Sequence, residues 1–222
     1  MEVHTDWLLT PERAAVHKPS ATAVIADLHL GYAEARRNSG ESVPLRDLEE
    51  SLAPLRSLVA RCDVKQLVIA GDLFENAAGA VLAEPFRQAL LQLGLSLLAI
   101  VPGNHDRGAA ARAISLPFHP EGLQVGDWHV VHGDSRLPRG RVIMGHLHPC
   151  LTWAARRTSP CYLVGPRRII LPAFSAEARG VNVLDCHSWA KLCCLAIAGD
   201  RVLDFGHVGL LTRKLRHQQR KA

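Results

Sequence analysis

The chain has 222 residues, 48% hydrophobic and 21% charged, the profile of a folded globular protein rather than a disordered or fibrous one. No run of 18 apolar residues occurs, so the sequence offers no helix to cross a membrane. Net charge is +5, yet Arg213, Lys214, Arg216, Arg220 and Lys221 stand together without an acid, so the body of the chain is neutral. The expected organisation is one domain over residues 1–212 and a basic C-terminal tail over 213–222, either a solvated terminus or an arm that reaches phosphates.

The opening residues lack a basic start followed by an apolar core, so no signal peptide is expected and the cytoplasm is the expected compartment. The six cysteines are irregularly spaced, and Cys193 and Cys194 sit inside an apolar run. Buried thiols in a reducing compartment explain them better than a disulfide framework or a zinc site.

In chain order, residues 7–18 read as a lead-in of one or two strands. Val24, Ile25 and Ala26 form a short buried strand that runs into Asp27-Leu28-His29-Leu30-Gly31. The two-residue period of a strand predicts that Asp27 and His29 point the same way. A polar loop over 32–44 carries Arg36, Arg37 and Gly40. Leu45, Leu48, Leu52, Leu55 and Val59 then recur at helical spacing, with Pro54 a candidate kink.

Residues 66–70 read as a second buried strand, 84–93 as a helix closed by Gly94, and 95–101 as a third strand. Strands and helices alternating with short links predict parallel crossovers. Beyond residue 125 come short strand-like runs over 125–131, 141–144, 161–164, 168–171, 181–184, 192–198 and 201–205. They predict a mostly antiparallel second sheet stacked on the first, in an α/β fold with no internal repeat.

Five polar clusters each follow an apolar strand candidate: Asp27-x-His29, Gly71-Asp72, Gly103-Asn104-His105-Asp106, His132-Gly133-Asp134 and Gly145-His146-Leu147-His148. Ligand sites in open α/β sheets form beyond the carboxyl ends of the strands, so all five are expected on one rim. Five of the twelve histidines fall in these clusters; the others, such as His4, His17, His119 and His217, have the setting of surface or core residues.

Asp27, His29, Asp72, Asn104, His132, His146 and His148 are too many ligands for one ion that keeps an open position. Two divalent ions sharing a carboxylate would use them all, and Asp72 after Gly71 is the candidate for sharing. Such a pair activates a water and neutralises the oxygens of a phosphate ester for in-line attack. His105 is the candidate general acid for the leaving oxygen, with Asp106 placed to orient it. Nitrogen and oxygen donors without thiolate suit Mn foremost, or Fe or Zn.

The ordered set Asp-x-His, Gly-Asp, Gly-Asn-His-Asp, His-Gly-Asp and Gly-His-x-His resembles the calcineurin-like metallophosphoesterase superfamily. That resemblance implies a sandwich of two central β-sheets flanked by helices. It also implies one metal on Asp27, His29, Asp72 and His148, another on Asp72, Asn104, His132 and His146, and a proton donated by His105. Asp27 to Gly31, Arg37, Gly40, Val43-Pro44, the Gly145 to Pro149 run and the stretch 165–174 are similar to the bacterial ligase-associated DNA-damage-response endonucleases. Tyr32 and the sequence Ser175-Ala176-Glu177-Ala178 depart from that group's pattern.

Three functions compete on this reading. The first is a phosphodiesterase acting on nucleic acid, single-stranded or at DNA ends, linked to DNA repair, with Arg36, Arg37, Arg107, Arg136, Arg139, Arg167 and Arg168 flanking the site loops as phosphate contacts. The scarcity of aromatics, 5%, provides no stacking platform for an extended strand. The second is a phosphoesterase of nucleotides, cyclic nucleotides or phosphomonoesters. The third is a non-catalytic scaffold, which the complete ligand set disfavours. An exposed strand edge in the second half leaves room for a homodimer.

Overall fold

The computed structural model describes residues 1–110, 112–113, 115–153 and 157–219. Three antiparallel strands come first, β1 (Glu2–Val3), β2 (Trp7–Leu9) and β3 (Ala15–His17), so the lead-in is longer than its apolar pattern suggested. They widen a six-stranded sheet whose heart is β4 (Thr22–Ile25), β5 (Gln66–Ala70) and β6 (Ser96–Val101), all parallel. The crossovers are helical, as the alternation of patterns predicts.

The stretch 32–44 is not wholly a loop: α1 (Tyr32–Asn38) occupies its first half. Seven residues with only Ala33 buried show too little apolar periodicity to announce a helix. The next helix, α2 (Leu48–Arg61), begins where the Asp47 side chain accepts the Glu50 amide, leaving Leu45 outside it and exposed. Leu52, Leu55 and Leu58 bury its inner face, a contribution of roughly 1.5–3 kcal/mol each. α3 (Ala83–Gln92) packs beside it through Phe86 and Leu90.

The second sheet has nine strands: β7 (Leu123–Val125), β8 (Trp128–Val131), β9 (Arg141–Met144), β10 (Pro149–Trp153), β11 (Arg157–Gly165), β12 (Arg168–Ile170), β13 (Val181–Asn182), β14 (Cys193–Ala198) and β15 (Arg201–His207). It is mixed but mostly antiparallel, as expected, with five of its eight strand pairings antiparallel. β8, β9 and β12 run parallel to one another, as do β10 and β13. Single-strand patterns carry no direction, so only the connections could have told. α4 (Val208–Gln219) covers the outer face with Val208 and Leu211, and residues 213–219, read as the start of a tail, continue that helix. Arg220 and Lys221 lie outside the described residues.

Alternating residues along each strand feed different cores. On β4, Ala23 and Ile25 face the α2–α3 layer, while Val24 and Ala26, just beyond the strand, meet Val130, Ile143, Tyr162 and Ile169 between the sheets. On the far face, Val142, Met144, Leu163 and Ile170 pack under α4. The result is two sheets flanked by helices. Cys194 is buried and Cys193 half-buried, and all six cysteines are free thiols.

Candidate metal centre

The strands that precede the five clusters end at a common rim, and pairing continues past them. The amides of Asp27 and His29 donate to the carbonyls of Gly71 and Asp72, and the Gly145 amide donates to His132. The two sheets touch here: a Cβ on Gly145 would sit 2.5 Å from the Ala26 Cβ and 2.6 Å from an Asp27 oxygen. Gly71, at φ 94°, is equally constrained, because a Cβ there would run into the His132 ring.

The expectation that Asp27 and His29 project from an extended strand is corrected. Asp27 (φ 58°), His29 (φ 51°), Asp72 (φ 47°), His146 (φ 66°) and His148 (φ 41°) all lie in the left-handed region. L-residues adopt it at a cost, and such strain concentrates where structure over-determines a functional site. The turn at each residue, rather than a two-residue period, aims these side chains inward.

Three groups of potential ligand atoms result: Asp27, His29 and His148; Asp72, His132 and His146; and His29, Asp72 and His105. Asn104 joins through its Oδ1, 3.2 Å from His132 Nε2. All eight predicted site residues therefore meet. Asp27 and Asp72 are almost fully buried, and among the described residues neither has a lysine or arginine partner. Their partners are the His146 amide (2.9 Å) for Asp27, the His105 amide (2.9 Å) for Asp72, and imidazoles at 3.4–3.7 Å. Buried carboxylates of this kind call for a cation.

The histidine tautomers point the same way. His148 Nδ1 lies 3.2 Å from the Arg179 carbonyl and His132 Nδ1 3.2 Å from the Ala70 carbonyl. A carbonyl only accepts, so each Nδ1 carries the proton and each Nε2 presents a lone pair inward. His29 Nδ1 is 2.8 Å from Glu75 Oε2, which leaves its Nε2 buried without a partner, like His148 Nε2 and Asp27 Oδ1. These orphaned atoms are what a divalent ion would satisfy, and nitrogen and oxygen donors of this mix suit such an ion.

Asp106 does not orient His105, contrary to expectation. It is buried and accepts the amides of Gly103 (2.9 Å), Phe74 (3.0 Å) and Leu73 (3.3 Å), tying two site loops together. Burial pushes its carboxyl up, against those hydrogen bonds. The orienting group is Glu75: its carbonyl accepts from His105 Nδ1 at 2.8 Å and its carboxylate lies 3.6 Å away. Burial raises the Glu75 carboxyl, but the His29 hydrogen bond and the charges of His29, His105 and Arg36 outweigh it and leave it below the usual range. Its signal in the sequence is slight, an acid three residues after Asp72.

The arginines divide. Arg36 stacks on the Tyr32 ring and Arg107 is 3.4 Å from Asp134, both beside the rim. Arg168 begins β12 opposite Val142, at the end of the sheet away from His146, and Arg167 precedes it. Those two are not site residues, because β12 enters the sheet there and reaches the rim only beyond Ile170.

A family model for calcineurin-like phosphoesterases matches residues 21–138, just over half of the chain. It spans Asp27 to His132, while His146 and His148 lie beyond it. The fold is similar to a solved structure described as the Pseudomonas putida nuclease MPE, with a TM-score of 0.68 and 22% identity over 90% of this chain and 94% of that one. No curated protein sequence matches. No helix of the described residues is long and apolar enough to cross a membrane. The chain belongs to the calcineurin-like phosphoesterases, metal-dependent hydrolases of ester bonds.

Proposed function

We propose that this chain is a two-metal phosphodiesterase that cleaves nucleic acid, in the manner of the DNA-damage-response endonucleases it resembles. The observation that carries the two-metal reading is the pair of buried carboxylates, Asp27 and Asp72, ringed by imidazoles, of which His29 and His148 have an inward nitrogen without a hydrogen-bond partner among the described residues. Asp27, His29, Asp72 and His148 would hold one ion, and Asp72, Asn104, His132 and His146 the other, with Mn the proposed metal and Fe or Zn the substitutes. Bound there, the pair supplies an activated water and charge neutralisation at the phosphoryl oxygens.

His105 protonates the departing oxygen. Its Nδ1 is held by the Glu75 carbonyl, so Nε2 is the atom that gives the proton. The ring is partly exposed and opens on a groove formed by Asn76, Ala77, Arg107 and Gly108, where a leaving group would lie. The nucleic-acid partner is supported by the open groove and Arg107, and by the fold shared with a nuclease. The same proposal includes one domain that takes in α4, a cytoplasmic setting, a role in DNA repair, and a homodimer joined through β7, β13 or β15, each paired on one side only among the described residues.

A second reading is a small phosphate ester as substrate. It is favoured by a walled cavity of ≈ 220 Å³ beside His29, lined by Gly31, Tyr32, Arg13 and Arg46. Cleavage of a labelled oligonucleotide with Mn²⁺, compared with bis-p-nitrophenyl and p-nitrophenyl phosphate, separates them. Preference for the monoester, with the oligonucleotide intact, removes the nuclease.

A further inference from the structure

Arg13 occupies the turn between β2 and β3 and, among the described residues, makes no hydrogen bond or ion pair to the eight site residues' side chains, yet its bonds lead to the metal centre. The turn is closed by the Thr10 amide on Ala14 O (3.0 Å) and the Arg13 amide on Thr10 O (3.2 Å). Tyr162, fully buried on β11, donates its hydroxyl to those same Thr10 and Ala14 carbonyls at 2.6 and 3.1 Å. The second sheet thus grips both ends of a turn of the first. Arg13 itself has φ 65°, a strained value for a residue with a Cβ.

From there the guanidinium reaches across the molecule. Its Nη1 lies 2.8 Å from Ser175 O, 3.1 Å from Phe174 O and 3.3 Å from Ala173 O, sharing two protons among three acceptors. The amide side of the same segment faces the other way: Phe174 N–H donates to Ala26 O (2.7 Å) and Ser175 N–H to Asp27 O (3.1 Å). Residues 173–175 are therefore a strut, held by Arg13 on one side and holding the backbone of Asp27 on the other.

Two facts separate this from ordinary packing. Arg13 makes no ion pair among the described residues, so its guanidinium is committed to the three carbonyls of the strut, which an apolar side chain would leave without that donor. And the strut ends on a left-handed aspartate whose carboxylate must stay aimed into the centre.

We propose that Arg13 is a positioning residue for the metal centre, fixing the backbone of Asp27 through the 173–175 strut. The inference rests on the reading of Asp27 as a ligand. It is tested on the full chain, stripped of metal, by calorimetric titration with Mn²⁺ alongside thermal melting of the metal-free protein. Arg13→Met keeps an unbranched apolar stem, two atoms shorter, but loses the donors, and is expected to bind Mn²⁺ about ten- to a hundredfold more weakly, the range for residues that orient a ligand. Arg13→Lys, one atom shorter, should recover most of that. Val64→Ala, a cavity at the opposite end of β5, should lower the melting temperature without moving Mn²⁺ affinity.

Parent-like Mn²⁺ affinity in Arg13→Met overturns the inference, and so does a loss in Val64→Ala as large per degree of melting temperature. Should Arg13→Met not fold, Arg13→Lys decides: affinity a few-fold below the parent supports the strut, and an unchanged value overturns it. A parent that binds no divalent ion at all removes the ligand reading itself, a failure distinct from the others.

Discussion

The two candidate ligand groups are built differently. In the group of Asp27, His29 and His148, the outer nitrogens are taken by Glu75 and by the Arg179 carbonyl, and three inner atoms, Asp27 Oδ1, His29 Nε2 and His148 Nε2, have no hydrogen-bond partner among the described residues. In the group of Asp72, His132 and His146, the two imidazoles already bond, His146 Nδ1 donating to the His132 Nε2 lone pair at 3.1 Å. The first group is held open from outside, whereas the second closes on itself. A cation entering the first displaces nothing, while one entering the second must replace the bond between the imidazoles. Preorganisation therefore predicts unequal affinities, with the first group the tighter.

The strongest way to break that comparison is to remove its elements. Chelation should abolish hydrolysis, and adding back Mn²⁺ should restore it in two resolvable steps in a calorimetric titration. Asp27→Asn should eliminate the tighter step, because a buried neutral amide neither balances nor draws the charge. A titration of the parent in one step, or loss of the weaker step instead, reverses the order argued above.

Next in size is His105→Ala, expected to lower kcat by about 10²–10⁴-fold, the usual worth of a general acid. Metal content by elemental analysis should not change. Since His105 also falls within ligand distance of His29 and Asp72, loss of one metal equivalent would make it a ligand instead. Smaller again is Glu75→Gln, which keeps the shape and the backbone carbonyl under His105 but weakens the hold on His29. About a 10–100-fold loss of activity is expected, with the tighter Mn²⁺ step weakened and the other unmoved.

Glu75 apart, these experiments address residues that the sequence pattern itself singles out. Asp, His and Asn each followed an apolar run, and a parallel sheet gathers whatever follows its strands, so the meeting of eight residues on one rim could be read from pattern alone. The same pattern could not show how they are aimed. Left-handed backbone at Asp27 or His148 leaves only a weak propensity signature, because Asp and His are enriched there but far less than glycine, and the strut from Arg13 depends on residues 160 apart in the chain. Glu75 was passed over for Asp106 because adjacency to His105 is visible in a sequence and a carbonyl contact from another loop is not. Arg167 and Arg168 were misplaced for a related reason: the direction of β12 is set by its partner β9, and nothing within 168–170 records it.

The mildest test carries the comparison outward, from the ligands to the surface that meets substrate. Arg107 stands by His105 with its side chain 80% exposed and held only at 3.4 Å by Asp134. A charge so placed contributes little to the fold and nothing to the grip on metal, so Arg107→Ala should leave kcat, melting temperature and Mn²⁺ affinity near parent values. Against a polyanion it should matter: KM for an oligonucleotide is expected to rise about threefold, and the salt dependence of binding should flatten by roughly one counterion. Bis-p-nitrophenyl phosphate, with no flanking phosphate, should show no change. Arg168→Ala, at the other end of the second sheet, is the matched control. If both substitutions raise KM alike, the effect is one of net charge, and the His105 side of the rim loses its claim to be the path of the departing strand.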